Sequence, residues 1–438
     1  MIIQPIDNLL DHIGDSNQAC YIKDYLGVLK AKTILVEEDY TDKDYLIDFQ
    51  NFYCRSFGPK ESTTSRIHFF SEPMESTHLE EIVQTPDSAG EMQRSYLGFA
   101  VKKPVKNHSG KPIVGRTALM PYPRVESKHR RVYIVCPQRA NVLGHEMSLH
   151  SMPFQSQDVA VGACASAAVW AALNPLFHLF EIQKSSLYEI THNANMIVQC
   201  ESRIFPSDGL TTRQICGCFR SKGLEIEFMN FSGAASWKFA PEWVSLVIRS
   251  YVRAGIPVVA GLELWEEGRS VPRYHAVTIS GFSEADGSAL SEIYVHDDQV
   301  GPYARVFSDD GFISWNYGGN EWGDSTRILL NSMTIPLYHK MRLPFESIWS
   351  VWYGLRNDAS VKATEVFLLE ARKYKEELLS RNFDNKRGIL AESMPHYVWV
   401  FRATYANGEV KDSVMDATAT YVSAKDTQVR EITYSGSV

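Results

Sequence analysis

The sequence predicts an α+β fold, and three observations carry that expectation. The segment GACASAAVWAAL (162–173) is rich in alanine and free of charge, the composition of a buried helix. Downstream, GIPVVAGLEL (255–264), YHAVTISGF (274–282) and EIYVHDDQV (292–300) are apolar and rich in β-branched residues, the character of successive strands. Helix therefore precedes sheet, an order that suits segregated α and β parts and not a repeating βαβ unit.

Taken in order, residues 1–140 read as an N-terminal α+β accessory domain. In TDKDYLIDFQNFYCRSF (41–57), Tyr45, Phe49, Phe52 and Tyr53 recur at helical spacing. SYLGFAVKKPV (95–105), IVGRTAL (113–119) and RVYIVC (131–136) read as strands separated by proline, glycine and charge. Residues 141–335 form the central domain. A polar loop, SMPFQSQDVAVG, leads into the alanine-rich helix, and Asn174-Pro175 marks an expected end or break of it. TTRQICGCFRSKG (211–223) reads as a polar helix, and GPYARVF (301–307) with a turn at Asp309-Asp310-Gly311 follows the strands. Residues 336–438 form a C-terminal α+β accessory region. It has one amphipathic helix over 359–382, an apolar strand HYVWVFRATY (396–405) and a polar end. ESIWSVWYGL (346–355) reads as aromatic packing between domains.

Composition narrows the function. The chain has 438 residues, 44% hydrophobic and 22% charged, ample for a sizeable core. A net charge of −8 argues against nucleic acid as a partner, since phosphate contacts need a basic face; Lys128-His129-Arg130-Arg131 reads as a solvated loop. Seven cysteines without paired spacing argue against a disulfide framework, and Cys216 and Cys218 read as free thiols on a helix. The N-terminus lacks the basic-then-apolar pattern of a secretory signal, and no apolar stretch approaches a membrane span. The expectation is a cytoplasmic protein with no cofactor and no metal site, its oligomeric state left open.

The chemistry centres on three residues. A reactive cysteine must form a thiolate, and the start of a helix favours one through the helix dipole. Cys164 stands where the loop Asp158–Gly162 meets the alanine-rich helix. His275 opens the apolar strand YHAVTISGF and is the candidate base. Asp297, on the next strand, is placed to accept the second imidazole N–H and fix the tautomer, with Asp298 as the alternative carboxylate. His296 beside it points to the opposite face by strand alternation.

The order of cysteine on a helix, histidine on a strand and aspartate on the next strand is that of papain-like cysteine peptidases. GACASAAVWAAL resembles their nucleophile helix, and HAVTISGF followed by YVHDD resembles their histidine and aspartate strands. The similarity is greatest to the bacterial bacteriocin-processing (double-glycine) peptidases and covers residues 150–310. It implies a papain-like core, a nucleophile helix packed on an antiparallel sheet. It also implies a thiol-dependent hydrolase that cleaves a peptide or isopeptide bond of a protein or peptide substrate. The family places a glutamine before the cysteine, whose amide helps the cysteine N–H hold the oxyanion. Gln157, seven positions before Cys164, takes that role by resemblance, with Gln155 as the alternative and Asp158 at the family's usual spacing. The same site also suits transglutaminase-like or deamidase-like acyl transfer, and an inactive papain-like scaffold is a third reading.

Overall fold

A computed structural model describes residues 1–58, 60–84, 89–126, 129–158, 160–197, 204–232, 241–285, 289–319, 322–323, 325–419 and 427–435. It is a mixed α+β structure in which every named strand pairing is antiparallel.

The centre is a closed meander. Strands Val258–Trp265, Arg273–Ala285, Ala289–Asp297, Gly301–Phe307, Ser314–Tyr317 and Arg327–Tyr338 pair in sequence, and the last pairs back onto the first. Closure removes the edges that an open meander would leave. The two longest strands overrun the barrel and recruit additional partners. Arg327–Tyr338 pairs with Leu224–Asn230, and the distal half of Arg273–Ala285 pairs with His129–Tyr133. RVYIVC therefore divides, His129–Tyr133 joining the central sheet and Cys136 opening a hairpin with His145–Ser151. Arg131 does not lie in a solvated loop: it is buried on this strand with Nε 3.7 Å from Glu292, while Lys128 lies outside the described residues.

The helix Cys164–Phe180 lies against this barrel, and Thr278 Oγ1 donates to the Ala168 carbonyl at 2.7 Å. It does not break at Asn174-Pro175. Pro175 lacks an N–H for the preceding turn, but burial on both flanks holds the helix through it, and the Asn174 amide donates to the Trp170 carbonyl at 2.9 Å. Trp170 is core, with its indole N–H on Asp44 at 3.2 Å.

The N-terminal residues build a five-stranded sheet from Ile2–Pro5, Thr33–Tyr40, Thr64–Phe70, Tyr96–Lys106 and Pro112–Leu119. Helix Asn17–Val28 leaves that sheet and seats on the barrel. Gln18 Nε2 donates to the Asp298 main-chain carbonyl at 2.9 Å, and the ring of Tyr21 packs against Gly301. A Cβ at Gly301 would stand 2.1 Å from Tyr21 Cδ1, so only glycine lets this helix approach. Gly301→Ala is expected to cost about 1–3 kcal/mol by overpacking, read as a lower urea midpoint at unchanged slope. An unaltered midpoint would mean that the contact is loose.

The C-terminal segment corrects one expectation. Residues 359–382 are not one helix: Val361–Glu370 is a strand and Ala371–Leu379 a helix. The strand pairs along its length with Tyr397–Tyr405, so Val366–Leu369 are buried in the sheet, and the pairing outweighs the helical periodicity of the lone sequence. The polar end supplies two more strands, Glu409–Asp416 and Gln428–Ser435, which complete a four-stranded sheet. ESIWSVWYGL lies within helix Phe345–Arg356, whose Phe345 packs edge-on between Trp243 and Trp399 and ties this sheet to the centre.

Candidate active site

The loop that delivers Cys164 is folded by its own aspartate. Asp158 Oδ1 accepts from the main-chain N–H groups of Ala160, Val161 and Gly162 at 3.0, 2.6 and 2.9 Å, and the Asp158 N–H returns to the Gly162 carbonyl. Thr191 fixes the same loop through the Val161 carbonyl at 2.8 Å. Asp158 is thus the clasp of the loop, with Oδ1 taken up by these backbone donors. Cys164 is the first residue of the helix; Ala163 at the cap is extended and offers no side chain to the free amides. Those amides and the positive end of the helix dipole remain available to a bound anion.

His275 and Asp297 meet at the end of the barrel. His275 Nε2 and Asp297 Oδ1 are 2.9 Å apart, both buried, and Asp298 Oδ1 stands farther off at 3.9 Å. Asp297 also accepts from the Gln299 N–H at 2.9 Å and from the Tyr317 hydroxyl at 2.7 Å. Burial works against its charge, but the His275 ring and these donors outweigh it and hold the carboxyl below the ordinary aspartate range. Burial likewise opposes a charged His275. The charge and hydrogen bond of Asp297, and then Cys164, overcome this and hold the ring well above the usual histidine value. With Nε2 engaged, the other nitrogen, Nδ1, is buried without a hydrogen-bond partner, and the Cys164 thiol is the neighbour it has to act on.

Two site residues carry no sequence signal. Tyr317 reaches Asp297 from the short strand Ser314–Tyr317, and the Trp322 indole lies 5.0 Å from the His275 ring, centroid to centroid. Neither stands at an informative spacing from Cys164 or His275; strand pairing in the meander brings them in. Gln157 is not brought to the cleft. It is half-buried in the loop before the helix, its side chain bonds no described residue, and its main-chain N–H faces the Asp298 carboxylate. Gln155 is buried with Nε2 unpartnered, in a small cavity behind the helix shared with His296 and Asp298. His296 faces away from the triad, between the Met152 carbonyl at 2.9 Å and the Tyr303 N–H at 3.1 Å.

A cleft of about 450 Å³ opens from Cys164 and His275 between the barrel and the loop before helix Thr212–Ser221. Leu210, Ile215, Val259 and Leu262 give it apolar walls, and Asn331 and Ser332 supply polar groups. Cys216 and Cys218 are free thiols on that helix. Among the described residues, His275, Asp297 and Asp298 are the one group compact enough to chelate, within 4.8 Å of one another. The ring nitrogen facing the carboxylates is already within hydrogen-bond distance of Asp297, so a hydrogen-bonded acid–base set is the simpler reading. No helix among the described residues is long and apolar enough to cross a membrane. No protein-family model matches the chain, and no curated protein matches it.

Proposed function

We propose that this chain is a papain-like, thiol-dependent hydrolase of peptide or isopeptide bonds, working through an acyl-enzyme on Cys164. One observation carries the reading: the His275 ring is held on Asp297 at 2.9 Å while its other nitrogen is left for a thiol at an uncapped helix start. In this mechanism Nδ1 of His275 takes the Cys164 proton, and the sulfur attacks the substrate carbonyl. The oxyanion is met by the Cys164 N–H and the free amides of the first helical turn. Collapse of the tetrahedral adduct expels the amine, which receives the proton from His275 and leaves a thioester. Water, activated by the same ring, hydrolyses the thioester and restores the thiol. Asp297 holds the ring and balances the imidazolium throughout.

Gln157 is not among the residues that line the cleft, and this favours a second reading, an inactive papain-like scaffold. Iodoacetamide at neutral pH separates the two. The active site is expected to alkylate Cys164 well before the exposed Cys20 and Cys54, read by peptide mass spectrometry. Equal rates at all three would sink the hydrolase reading.

A further inference from the structure

Asp298 is the one member of the cluster that the mechanism leaves without a role. Its side chain is buried, neither carboxylate oxygen accepts from another side chain, the Gln157 main-chain N–H faces it, and Oδ1 stands 3.9 Å from His275 Nε2. A buried carboxylate met by main-chain donors alone is costly to ionise, and its charge, once formed, acts strongly on the groups beside it. We propose that Asp298 is a positioning residue that acts through His275: its ionisation puts a second negative charge beside the ring and stabilises the thiolate–imidazolium pair. The inference rests on the thiol-hydrolase reading above.

The surroundings of Asp298 support this assignment. The nucleophile helix presents only Ala167, Ala168 and Ala171 to its cavity, and the loop before that helix presents the neutral Gln155 amide and the Gln157 N–H. Helix Asn17–Val28 contributes Gln18, which bonds the main-chain carbonyl and leaves the carboxylate untouched. The aspartate strand contributes His296, which burial pushes down to about 4 and so keeps neutral. The titrating neighbours that remain are His275, Asp297 and, through His275, Cys164. Burial first, then repulsion from Asp297, outweighs the pull of His275 and pushes the Asp298 carboxyl up to about 7. The sign follows: below neutrality Asp298 is uncharged and one carboxylate supports the ring; above it two do. A charge at this distance shifts a partner by about 1–3 pH units. The imidazolium of the native protein should therefore persist to higher pH than Asp297 alone would hold it.

The test is the pH dependence of Cys164 alkylation by iodoacetamide in the full chain, native and Asp298→Asn. The native profile is expected to carry an inflection near neutrality. The variant should lose it, and its alkaline limb should fall at a pH lower by on the order of one unit. Asp309→Asn, exposed and outside the site, should keep the native profile. Superimposable native and Asp298→Asn profiles would overturn the inference while leaving the hydrolase reading intact. A Cys164 no faster than Cys20 at every pH would overturn both. Should Asp298→Asn fail to fold, NMR titration of the His275 ring in the native protein decides. A step near neutrality before its own deprotonation supports the assignment, and a single transition refutes it.

Discussion

Cys164→Ala is expected to abolish acyl-enzyme formation, and His275→Ala to remove nearly all of it, with the double variant little worse than either single one. The reason is geometric. Cys164 and His275 line one cleft, the ring has Nε2 fixed on Asp297 and Nδ1 without another hydrogen bond, and in the proposed mechanism neither group works without the other. Groups that act as one unit give strongly non-additive losses. The measurement is the burst of p-nitrophenolate from an activated ester, with the acyl adduct located on Cys164 by mass spectrometry. Cys164→Ala should retain the native melting transition, because Cys164 is only partly buried; His275→Ala leaves the buried Asp297 without its partner and should melt lower, so its rates are read at a temperature where it is folded. Losses that multiply in the double variant would show two independent contributions and no shared mechanism. An adduct that persists in Cys164→Ala would place the nucleophile elsewhere.

The parts of this site that were legible in the sequence are those set by local composition. An alanine run after a glycine-ended loop gave the helix start at Cys164, and apolar runs gave the strands carrying His275 and Asp297. The expectation that Asp297 and not Asp298 takes the ring agrees with the distances of 2.9 and 3.9 Å. What long-range pairing sets was not legible. Tyr317 reaches Asp297 and Trp322 reaches the His275 ring only through the pairing of the meander strands, Ser314–Tyr317 on Gly301–Phe307 and that strand on Ala289–Asp297. The resemblance puts Gln157 at the oxyanion, but Gln157 does not line the cleft, and the loop before Cys164 is shaped by the hydrogen bonds of Asp158, which residue spacing does not encode. Segment 359–382 reads as one helix for a related reason: the helical period of its second half continues in sequence over a first half that pairs as strand.

Asp297→Asn should lower the rate of ester-burst formation by on the order of 10²–10⁴, with the nucleophile still present. The carboxylate does two jobs that an amide does only in part. Its Oδ1 accepts from His275 Nε2 and from the Gln299 N–H, and its Oδ2 accepts from Tyr317. An asparagine oxygen turned toward His275 keeps the first pair, and its NH₂ then faces the Tyr317 hydroxyl, which can rotate to accept. Orientation is thus partly preserved, whereas the charge that holds the ring above the usual histidine range is lost. The imidazolium should therefore deprotonate at lower pH, and the alkaline limb of Cys164 alkylation should move down with it. This separates the charge from simple loosening of the site, which would lower the rate at every pH without moving the limb. Tyr317→Phe supplies the comparison: it removes one donor to Asp297 and keeps the charge, so it should cost much less than Asp297→Asn. An Asp297→Asn protein with the native rate and limb would show that the carboxylate is structural, and the role of supporting His275 would then fall to Asp298 at 3.9 Å.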